Sequence, residues 1–294
     1  MNKSEIGKLG LWSMIDNHSY SECIDLAQKA ERWGYSALWL PEAFGRDPFA
    51  MLSVLARETD NLFLATGIAN IYARDPIAMV AARNALDELS HGRLILGLGV
   101  SHREMVAAIR QHNYGKPVST MRQYLEAMEQ APYGRAAPEH RGMIVLAALR
   151  KNMLGLAAEK TDGAHPYFVT PEHTAQAREL LGPDKFLAPE QKVLRIKGPG
   201  EARAVARQFM ALYLGMENYR NNILAMGFKA EDIESGGSDR LVDAIVAWGD
   251  DEAIAKRLEA HWHNGADHVC LQPLRPDGQA GFDLDAIKAF APNT

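Results

Sequence analysis

Short apolar runs alternate with amphipathic segments along the first hundred residues. The runs at residues 8–14, 35–42, 62–71 and 93–102 have the length and composition of buried strands. Between them, apolar residues recur every three or four positions, as in SECIDLAQKAERWG, which stops at Gly34. Strands that alternate with helices predict a parallel sheet with right-handed crossover helices.

A local repeat indicates equivalent strand-to-helix loops. The hexamer RDPFAM, residues 46–51, recurs as RDPIAM, residues 74–79. In both copies the Asp suits the N-cap of a helix and the Pro suits its first position. We therefore expect helices to begin at these two places.

The second half continues the alternation less regularly. Four further apolar runs predict strands, at residues 143–149, 164–169, 192–196 and 268–274. A long helical stretch is expected from residue 201 to about residue 264, with breaks near Gly215, Gly227 and residues 235–238. Eight strands with interleaved helices predict the α/β class and a (β/α)8 TIM barrel, with extra helices between strands seven and eight. No linker divides residues 1–294, so we expect one domain.

Composition narrows the class of protein. The 294 residues are 47% hydrophobic and 23% charged with a net charge of −5, which suits a compact globule and offers no basic surface for nucleic acid. Cys23 and Cys270, the two cysteines, have neither a disulfide framework nor a metal spacing and suit a reducing cytosol. No apolar run is long enough for a bilayer, and the first residues lack a signal-peptide core. We expect a cytoplasmic protein that uses no membrane.

Several well-known motifs are incomplete or missing. The stretch GLGVSH, residues 97–102, has His102 where a dinucleotide-binding fingerprint needs its third glycine. His261 and His263 are two positions apart in a helical pattern and therefore face different directions. The sequence has no C-x-x-C, H-E-x-x-H, G-x-S-x-G or P-loop motif. We predict no metal site and no Rossmann unit.

The third apolar run, LFLATGIANIY, is interrupted by Gly67. Glycine weakens a strand, so its position indicates a bulge or the close approach of another group to the backbone. The simpler alternative is that Gly67 only fits the packing of a barrel.

Polar side chains follow the carboxyl ends of several predicted strands, which is the edge where barrel enzymes carry their sites. Glu42 ends the second strand and His102 the fourth, so a carboxylate and an imidazole at neighbouring strand ends could exchange protons. The other polar residues in such positions are Ser13, Asp16, Asn70, Arg74, Ser101, Lys151 and Asn152. The alternative for each is a loop side chain in water.

Three stretches carry a family resemblance: ALWLPEAFGRDPFAML, LATGIANIYARDPIAMVAARNALDELSHGRLILGLGVSH and MLGLAAEKTDGAHPYFV. Together they resemble the bacterial luciferase-like monooxygenase superfamily, and they look closest to its branch of oxidoreductases that use the deazaflavin coenzyme F420. The pattern T-G-[IV] followed by L-D-E-L-S-[GH]-G-R is specific to the superfamily. It does not separate deazaflavin enzymes from flavin enzymes.

The resemblance implies a use for the glycine in the third strand. In the family this strand carries a bulge with a non-prolyl cis peptide, which presses on the back of the flavin-like ring. By position the pair here is Gly67–Ile68, between Thr66 and Asn70. These four residues, together with Ser101, are the expected neighbours of the coenzyme ring.

The resemblance also implies where the phosphate tail of the coenzyme lies, against RKNMLG and HPYFVTP. Backbone N–H groups at a helix start, here at Met153 and Leu154, suit an anion. Lys151 adds positive charge and Asn152 a side-chain donor. His165 is the expected contact from the second stretch.

Glu42 and His102 are the expected catalytic residues. Relatives place acidic or histidine residues beside the deazaflavin at the end of the second strand. The sugar-phosphate dehydrogenase branch has a glutamate proton donor where this chain has His102, and a tryptophan where this chain has Phe44. Both departures argue against glucose 6-phosphate as the substrate.

The expected function is therefore hydride transfer between coenzyme F420 and a small organic substrate, in a homodimer as the family implies. The alternatives are an FMN-dependent luciferase-like monooxygenase supplied by a partner reductase, and a non-catalytic barrel subunit. Residues 175–251 are expected to roof the pocket. Four polar residues there could face the substrate or lie on the helical surface, namely Tyr213, Tyr219, Arg220 and Asn221.

Overall fold

The computed structural model describes residues 2–293, which form a parallel sheet surrounded by helices. The strands are β1 (Leu9–Trp12), β2 (Ala37–Leu40), β3 (Phe63–Thr66), β4 (Ala69–Asn70), β5 (Leu94–Gly99), β6 (Met143–Leu146), β7 (Gly163–Ala164), β8 (Phe186–Leu187), β9 (Glu190–Leu194), β10 (Val246–Trp248) and β11 (Val269–Pro273).

The α-helices are α1 (Tyr20–Arg32), α2 (Pro48–Glu58), α3 (Pro76–Ser90), α4 (Pro117–Glu129), α5 (Lys151–Lys160), α6 (Pro171–Leu181), α7 (Pro199–Leu214), α8 (Glu217–Ala225), α9 (Ala230–Ile233), α10 (Asp239–Ile245), α11 (Asp251–His263) and α12 (Leu284–Ala289). Short 3-10 turns occupy Lys3–Glu5 and Glu234–Gly236, and a π-helical turn occupies Glu104–Ile109.

The sheet is parallel in every described pair of strands, in the order β10-β9-β11-β1-β2-β3-β5-β6-β7-β8, with β4 on β5. Only two residues separate β8 from β9, although they stand near opposite ends of this order. The sheet therefore curls round. The two residues between β8 and β9 hydrogen-bond to neighbours on both sides. Ala188 N–H donates to Ala164 O, and Pro189 O accepts from Cys270 N–H. The expected α/β class and TIM-barrel-like parallel sheet are confirmed.

The repeated RDP motif starts two helices as the sequence indicates. Asp47 caps α2 by accepting a hydrogen bond from Ala50 N–H, and Asp75 caps α3 by accepting from the N–H groups of Ile77 and Ala78. In each helix the proline takes the first turn, where its missing N–H costs nothing. These caps hold the loops that follow β2 and β4.

Apolar side chains pack on both faces of the sheet. One cluster fills the space between the strands and the surrounding helices, and another fills the interior with Trp12, Trp39, Ile95 and Phe186. Continuous burial on both faces explains why the strands read as unbroken apolar runs. No helix within residues 2–293 has both the length and the apolar character needed to cross a membrane.

The predicted element order needs three corrections. The run at residues 164–169 is strand only at Gly163–Ala164, because Pro166 cannot donate to a ladder and Phe168 has φ +62°. The predicted helical stretch at residues 201–264 contains the strand β10, whose pairing with β9 overrides the local pattern. β8 was not predicted at all.

Candidate active site

The structure contains a cavity of about 730 Å³ beyond the carboxyl ends of β5, β6 and β7. This is the edge where barrel enzymes bind their substrates, and the volume suits a cofactor-sized ligand. Helix α8 contributes one wall. The lining includes the predicted site residues Ile68, Ser101, His102, Lys151, Asn152, Met153, Leu154 and His165, and also Gly99, Tyr114, Arg150, Tyr167, His173, Asn218, Tyr219, Asn222 and Met226.

The Gly67–Ile68 bond is cis, as the family resemblance implies. The Ile68 side chain lines the cavity. The group that crowds Gly67 is Trp12, since a Cβ at residue 67 would lie 2.7 Å from Trp12 Nε1. Trp12 Nε1–H donates to Gly67 O across 3.1 Å. The Trp12 indole, in the barrel interior, is thus the group that closely approaches Gly67. Ile68 is the residue of this pair that contacts the cavity.

The two glycines of GLGVSH make room for this bulge. A Cβ on Gly97 would lie 2.1 Å from Thr66 O, and one on Gly99 would lie 2.3 Å from Ile68 Cδ1. Real Cβ atoms do not approach other atoms so closely, so the backbone oxygen of Thr66 requires glycine at residue 97, whereas a Cβ at residue 99 would displace the Ile68 side chain. The glycine pair therefore shapes the floor of the cavity rather than a nucleotide loop.

Glu42, Thr66 and Asn70 lie beside the cavity and do not line it. The Glu42 carboxylate accepts hydrogen bonds from Arg74 Nη1 at 2.6 Å and from Asn70 N–H at 2.8 Å. The Glu42 N–H donates to Ile68 O at 3.1 Å, and Thr66 Oγ1 donates to Gly97 O at 2.7 Å. These bonds tie the ends of β2 and β5 to the bulge, so the side chains of Glu42 and Thr66 and the backbone of Asn70 support the cavity floor.

His102 lines the cavity directly after the end of β5. Its ring centroid lies 5.2 Å from that of Tyr219. Burial lowers the pKa of His102 from its usual value, and Glu104 opposes that change only in part. The imidazole is therefore neutral at pH 7, with one nitrogen able to donate and the other able to accept. Ser101, next to it, takes a left-handed conformation with φ +54°.

The start of α5 forms the cationic end of the cavity. Arg150 and Lys151 carry the charges that line the cavity among the described residues. The N–H groups of Lys151 and Asn152 have no partner within residues 2–293, whereas those of Met153 and Leu154 both donate to Arg150 O at 3.0 Å. The open donors of this helix are thus its first two N–H groups, not those expected from the sequence.

Two neutral histidines, His165 and His173, also line the cavity wall. His165 Nδ1–H donates to Ala188 O at 2.7 Å, and its ring stacks on Trp39 at 4.5 Å. His173 Nε2–H donates to Leu149 O at 2.5 Å. Burial lowers the pKa of His165 to about 4 and that of His173 below its usual value. Each ring therefore keeps a lone pair on its other nitrogen.

Three polar atoms of lining residues are buried without a partner in residues 2–293: His165 Nε2, His173 Nδ1 and Asn222 Nδ2. Buried polar atoms in proteins are nearly always hydrogen-bonded, so these three atoms are exceptions, although each is closed off from the cavity. Sequence reasoning found His165 but missed His173 and Asn222. His173 follows a recognisable helix start, TPEH, while Asn222 lies in a helix with no local signal of function.

The structure shows which of the four polar candidates from residues 175–251 line the cavity. Tyr219 lines the cavity, whereas Tyr213, Arg220 and Asn221 do not. Tyr213 lies behind the wall, where its hydroxyl is 2.7 Å from that of Tyr167. Arg150 Nη2 donates to Asn218 Oδ1 at 3.0 Å and so joins the cationic end to the roof.

A comparison with known protein families identifies the family of this chain. A family model described as luciferase-like monooxygenase matches residues 7–182, more than half of the chain. The chain belongs to the luciferase-like monooxygenase family. A protein of Mycobacterium tuberculosis provisionally named a coenzyme F420-dependent oxidoreductase is 27% identical over 250 residues, which cover 71% of each chain. The family expected from the sequence, and membership of a family of enzymes, are confirmed.

Solved structures share the fold at low sequence identity. An F420-dependent secondary alcohol dehydrogenase in complex with an F420–acetone adduct superposes with a TM-score of 0.75 and 14% identity, over 98% of both chains. The oxygenating constituent of 3,6-diketocamphane monooxygenase from Pseudomonas putida, in complex with FMN, superposes with a TM-score of 0.72 and 13% identity, over 98% of this chain and 97% of the other. Proteins with this fold thus include one solved with an F420 adduct and one solved with FMN.

The cavity offers acid–base and anion-binding groups without a metal site. Within residues 2–293 no three His, Cys, Asp or Glu side chains are placed to hold a metal ion together. The chemical groups that face the cavity are a neutral imidazole at His102, hydroxyl and amide groups on α8, and the cations at the start of α5. The cations and free N–H groups of this lining can bind an anionic ligand, and the neutral imidazole of His102 can accept or release a proton.

Proposed function

We propose that the chain is a coenzyme F420-dependent oxidoreductase that transfers a hydride between the deazaflavin and a small organic substrate. The observation that carries the proposal is the polarity of the cavity. The lining presents Arg150, Lys151 and two free N–H groups of α5, and it also presents the neutral imidazole of His102. A ligand that joins a phosphate-bearing tail to an uncharged redox ring suits both kinds of group.

The lining residues fit such a cofactor. The start of α5, with Lys151 and Asn152, would hold the phosphate, and Met153 and Leu154 would support the tail through their side chains. Ile68 and Ser101 would face the ring. His165 and His173 would lie against the ligand as neutral imidazoles, since both residues line the cavity. The mycobacterial relative's provisional name supports the same cofactor.

The cofactor would supply the hydride chemistry, and the protein would supply position and a proton. His102 lines the cavity as a neutral imidazole, so it would carry the proton between solvent and the substrate. Glu42 is engaged by Arg74 and Asn70. We therefore give Glu42, with Thr66, Gly67 and Asn70, the role of holding the bulge that presents Ile68.

The fold leaves FMN as the alternative cofactor, because a structural neighbour was solved with FMN. An FMN enzyme would activate oxygen and need a partner reductase. The start of α5 would also suit the phosphate of FMN. The choice between F420 and FMN would therefore depend on the residues that contact the ring. A barrel that binds neither cofactor is the non-catalytic alternative.

The proposal includes the remaining expectations from the sequence. Residues 1–294 would form one catalytic domain, in which the helices between β9 and β11 are the insertion that covers the cavity. The protein would act in the cytoplasm as a homodimer.

A pair of fluorescence titrations tests the cofactor. Purified protein is titrated with oxidised coenzyme F420 and, separately, with FMN, while circular dichroism checks that it is folded. We expect micromolar binding of F420 and at least tenfold weaker binding of FMN. Tighter binding of FMN would replace the proposal with the oxygen-activating alternative. Binding of neither would contradict both.

A further inference from the structure

Helix α8 brings one side chain against His102. Tyr219 and Asn222 both line the cavity because residues three apart share a helix face. The Tyr219 ring lies 5.2 Å from His102 and 6.2 Å from Tyr167, centroid to centroid. The helix lies beyond residue 182, where the match to the family model ends. This wall is therefore a place where the chain can differ from its relatives in substrate.

Tyr219 has a free hydroxyl, unlike its two tyrosine neighbours. The Tyr167 hydroxyl donates to Gln272 Oε1 at 2.9 Å, because a carbonyl oxygen can only accept, and Tyr213 must then donate to Tyr167 at 2.7 Å. The hydroxyl protons of Tyr167 and Tyr213 are therefore both used in hydrogen bonds behind the cavity wall. The Tyr219 hydroxyl makes no hydrogen bond within residues 2–293 and, unlike Asn222 Nδ2, is not sealed from solvent. It is the phenol that the cavity leaves available.

The surroundings keep this hydroxyl protonated. Burial, with smaller contributions from Tyr213 and Glu190, raises the pKa of Tyr219 well above its usual range. A phenol with a raised pKa keeps its proton at neutral pH and can donate one hydrogen bond. Tyr219 therefore keeps its proton at neutral pH and is available as a hydrogen-bond donor.

The charge of the lining limits what can lie beside Tyr219. Among the described lining residues none carries a carboxylate, and the cations Arg150 and Lys151 are at the start of α5. A cationic substrate would find no counter-charge, and burying an unpaired charge is costly. The flat faces of Tyr167 and Tyr219 suit an uncharged, partly apolar molecule.

We propose that Tyr219 is the hydrogen-bond donor to the oxygen of an uncharged aldehyde or ketone, and of the corresponding alcohol in the reverse direction. The assignment rests on the proposed function for the source of the hydride. Its geometric basis is separate, namely a free hydroxyl on a cavity-lining tyrosine of α8 whose ring lies 5.2 Å from the imidazole of His102.

The step balances with these groups. The carbonyl carbon receives a hydride from the reduced deazaflavin, the C=O π bond breaks, and its electron pair moves to oxygen. That oxygen takes the proton of the Tyr219 hydroxyl, which gives the alcohol. Tyr219 then regains a proton from solvent through His102, whose two nitrogens can accept and release a proton in turn. The carbonyl compound is reduced by two electrons and the cofactor is oxidised by two.

The test uses 4-(dimethylamino)cinnamaldehyde, whose absorption band moves to longer wavelength when its carbonyl oxygen accepts a strong hydrogen bond. The probe is added to the protein alone and to the protein saturated with oxidised coenzyme F420, which cannot reduce it. The variant is Tyr219→Phe. The matched control is Tyr213→Phe, which removes a hydroxyl from the same aromatic cluster but behind the wall. Thermal unfolding checks the fold of both variants.

We expect the red shift in the wild-type protein and in Tyr213→Phe, and its loss in Tyr219→Phe. With reduced coenzyme, Tyr219→Phe should reduce the probe at least tenfold more slowly while its coenzyme affinity changes less than threefold. An unchanged shift in Tyr219→Phe, its loss in both variants, or no shift in the wild type would overturn the assignment. A shift that depends on Tyr219 without any binding of F420 would refute the proposed cofactor and leave this assignment standing.

Discussion

Two parts of the cavity lining differ in charge and in their origin along the chain. The cationic end, as we name the start of α5, is one short segment whose donors are backbone N–H groups and long flexible side chains. The neutral end, as we name the other part, combines His102, after β5, with Tyr219 of α8, more than a hundred residues later.

This difference separates binding from chemistry. Backbone N–H groups at a helix start are available in any sequence that forms the helix, so they suit a tail that many relatives share. The neutral end depends on a particular pair of side chains brought together by the roof. Affinity for an anionic cofactor should therefore respond to changes at α5, and turnover and substrate choice to changes at His102 and α8.

The largest expected effect concerns the neutrality of the buried histidines. Burial lowers the pKa of His165 and His268 to about 4 and that of His261 to about 3. The unfolded chain binds these protons near pH 6.5, whereas the folded protein does not until lower pH. The free energy of unfolding should thus be constant above about pH 7 and should fall between pH 6.5 and 4. The loss is up to about 1.4 kcal/mol per pH unit for each histidine.

Urea unfolding at pH 8, 6 and 5 measures this loss. His261→Gln, at a buried position outside the cavity, should reduce the pH dependence by about one histidine's share. His112→Ala, at an exposed position, should leave it unchanged. Equal stability at pH 8 and pH 5 would show that the histidines are not held neutral.

The next effect separates turnover from affinity. His102→Ala should lower kcat by roughly a hundredfold or more, the usual contribution of a positioned proton-transfer group. Its affinity for coenzyme F420 should change less than threefold, because the phosphate end is untouched. Steady-state rates and the fluorescence titration measure the two quantities. His112→Ala serves as the control, and a fall in affinity alone would make His102 a binding residue.

The smallest effect lies at the cationic end. Lys151→Ala should weaken F420 binding about tenfold, or about 1.4 kcal/mol, and should flatten its dependence on salt, because one charge near the phosphate is removed. Lys160→Ala changes the same residue type at the opposite end of α5 and should leave the affinity unchanged. If both variants bind alike, the phosphate lies elsewhere.

Much of the frame could be predicted from the sequence because it depends on local interactions. Asp47 and Asp75 with the prolines that follow them start α2 and α3, and doubly buried strands appear as apolar runs. Gly67 also marked the bulge, because a glycine weakens a strand and is typical of positions where the strand bulges or another group comes close. The family motif then indicated the cis Gly67–Ile68 bond.

Other features were decided only by the tertiary structure, because they depend on contacts between distant residues. β10 exists because β9 pairs with it, against a helical local pattern. Glu42 ends a strand as His102 does, yet Arg74 and Asn70 engage its carboxylate beside the cavity. Among the tyrosines of the roof the sequence shows no difference, and the hydrogen bonds of Tyr213 leave Tyr219 as the one with a free hydroxyl in the cavity. A local pattern determines that a side chain is buried or capped, while its partner in space determines what chemistry it can perform.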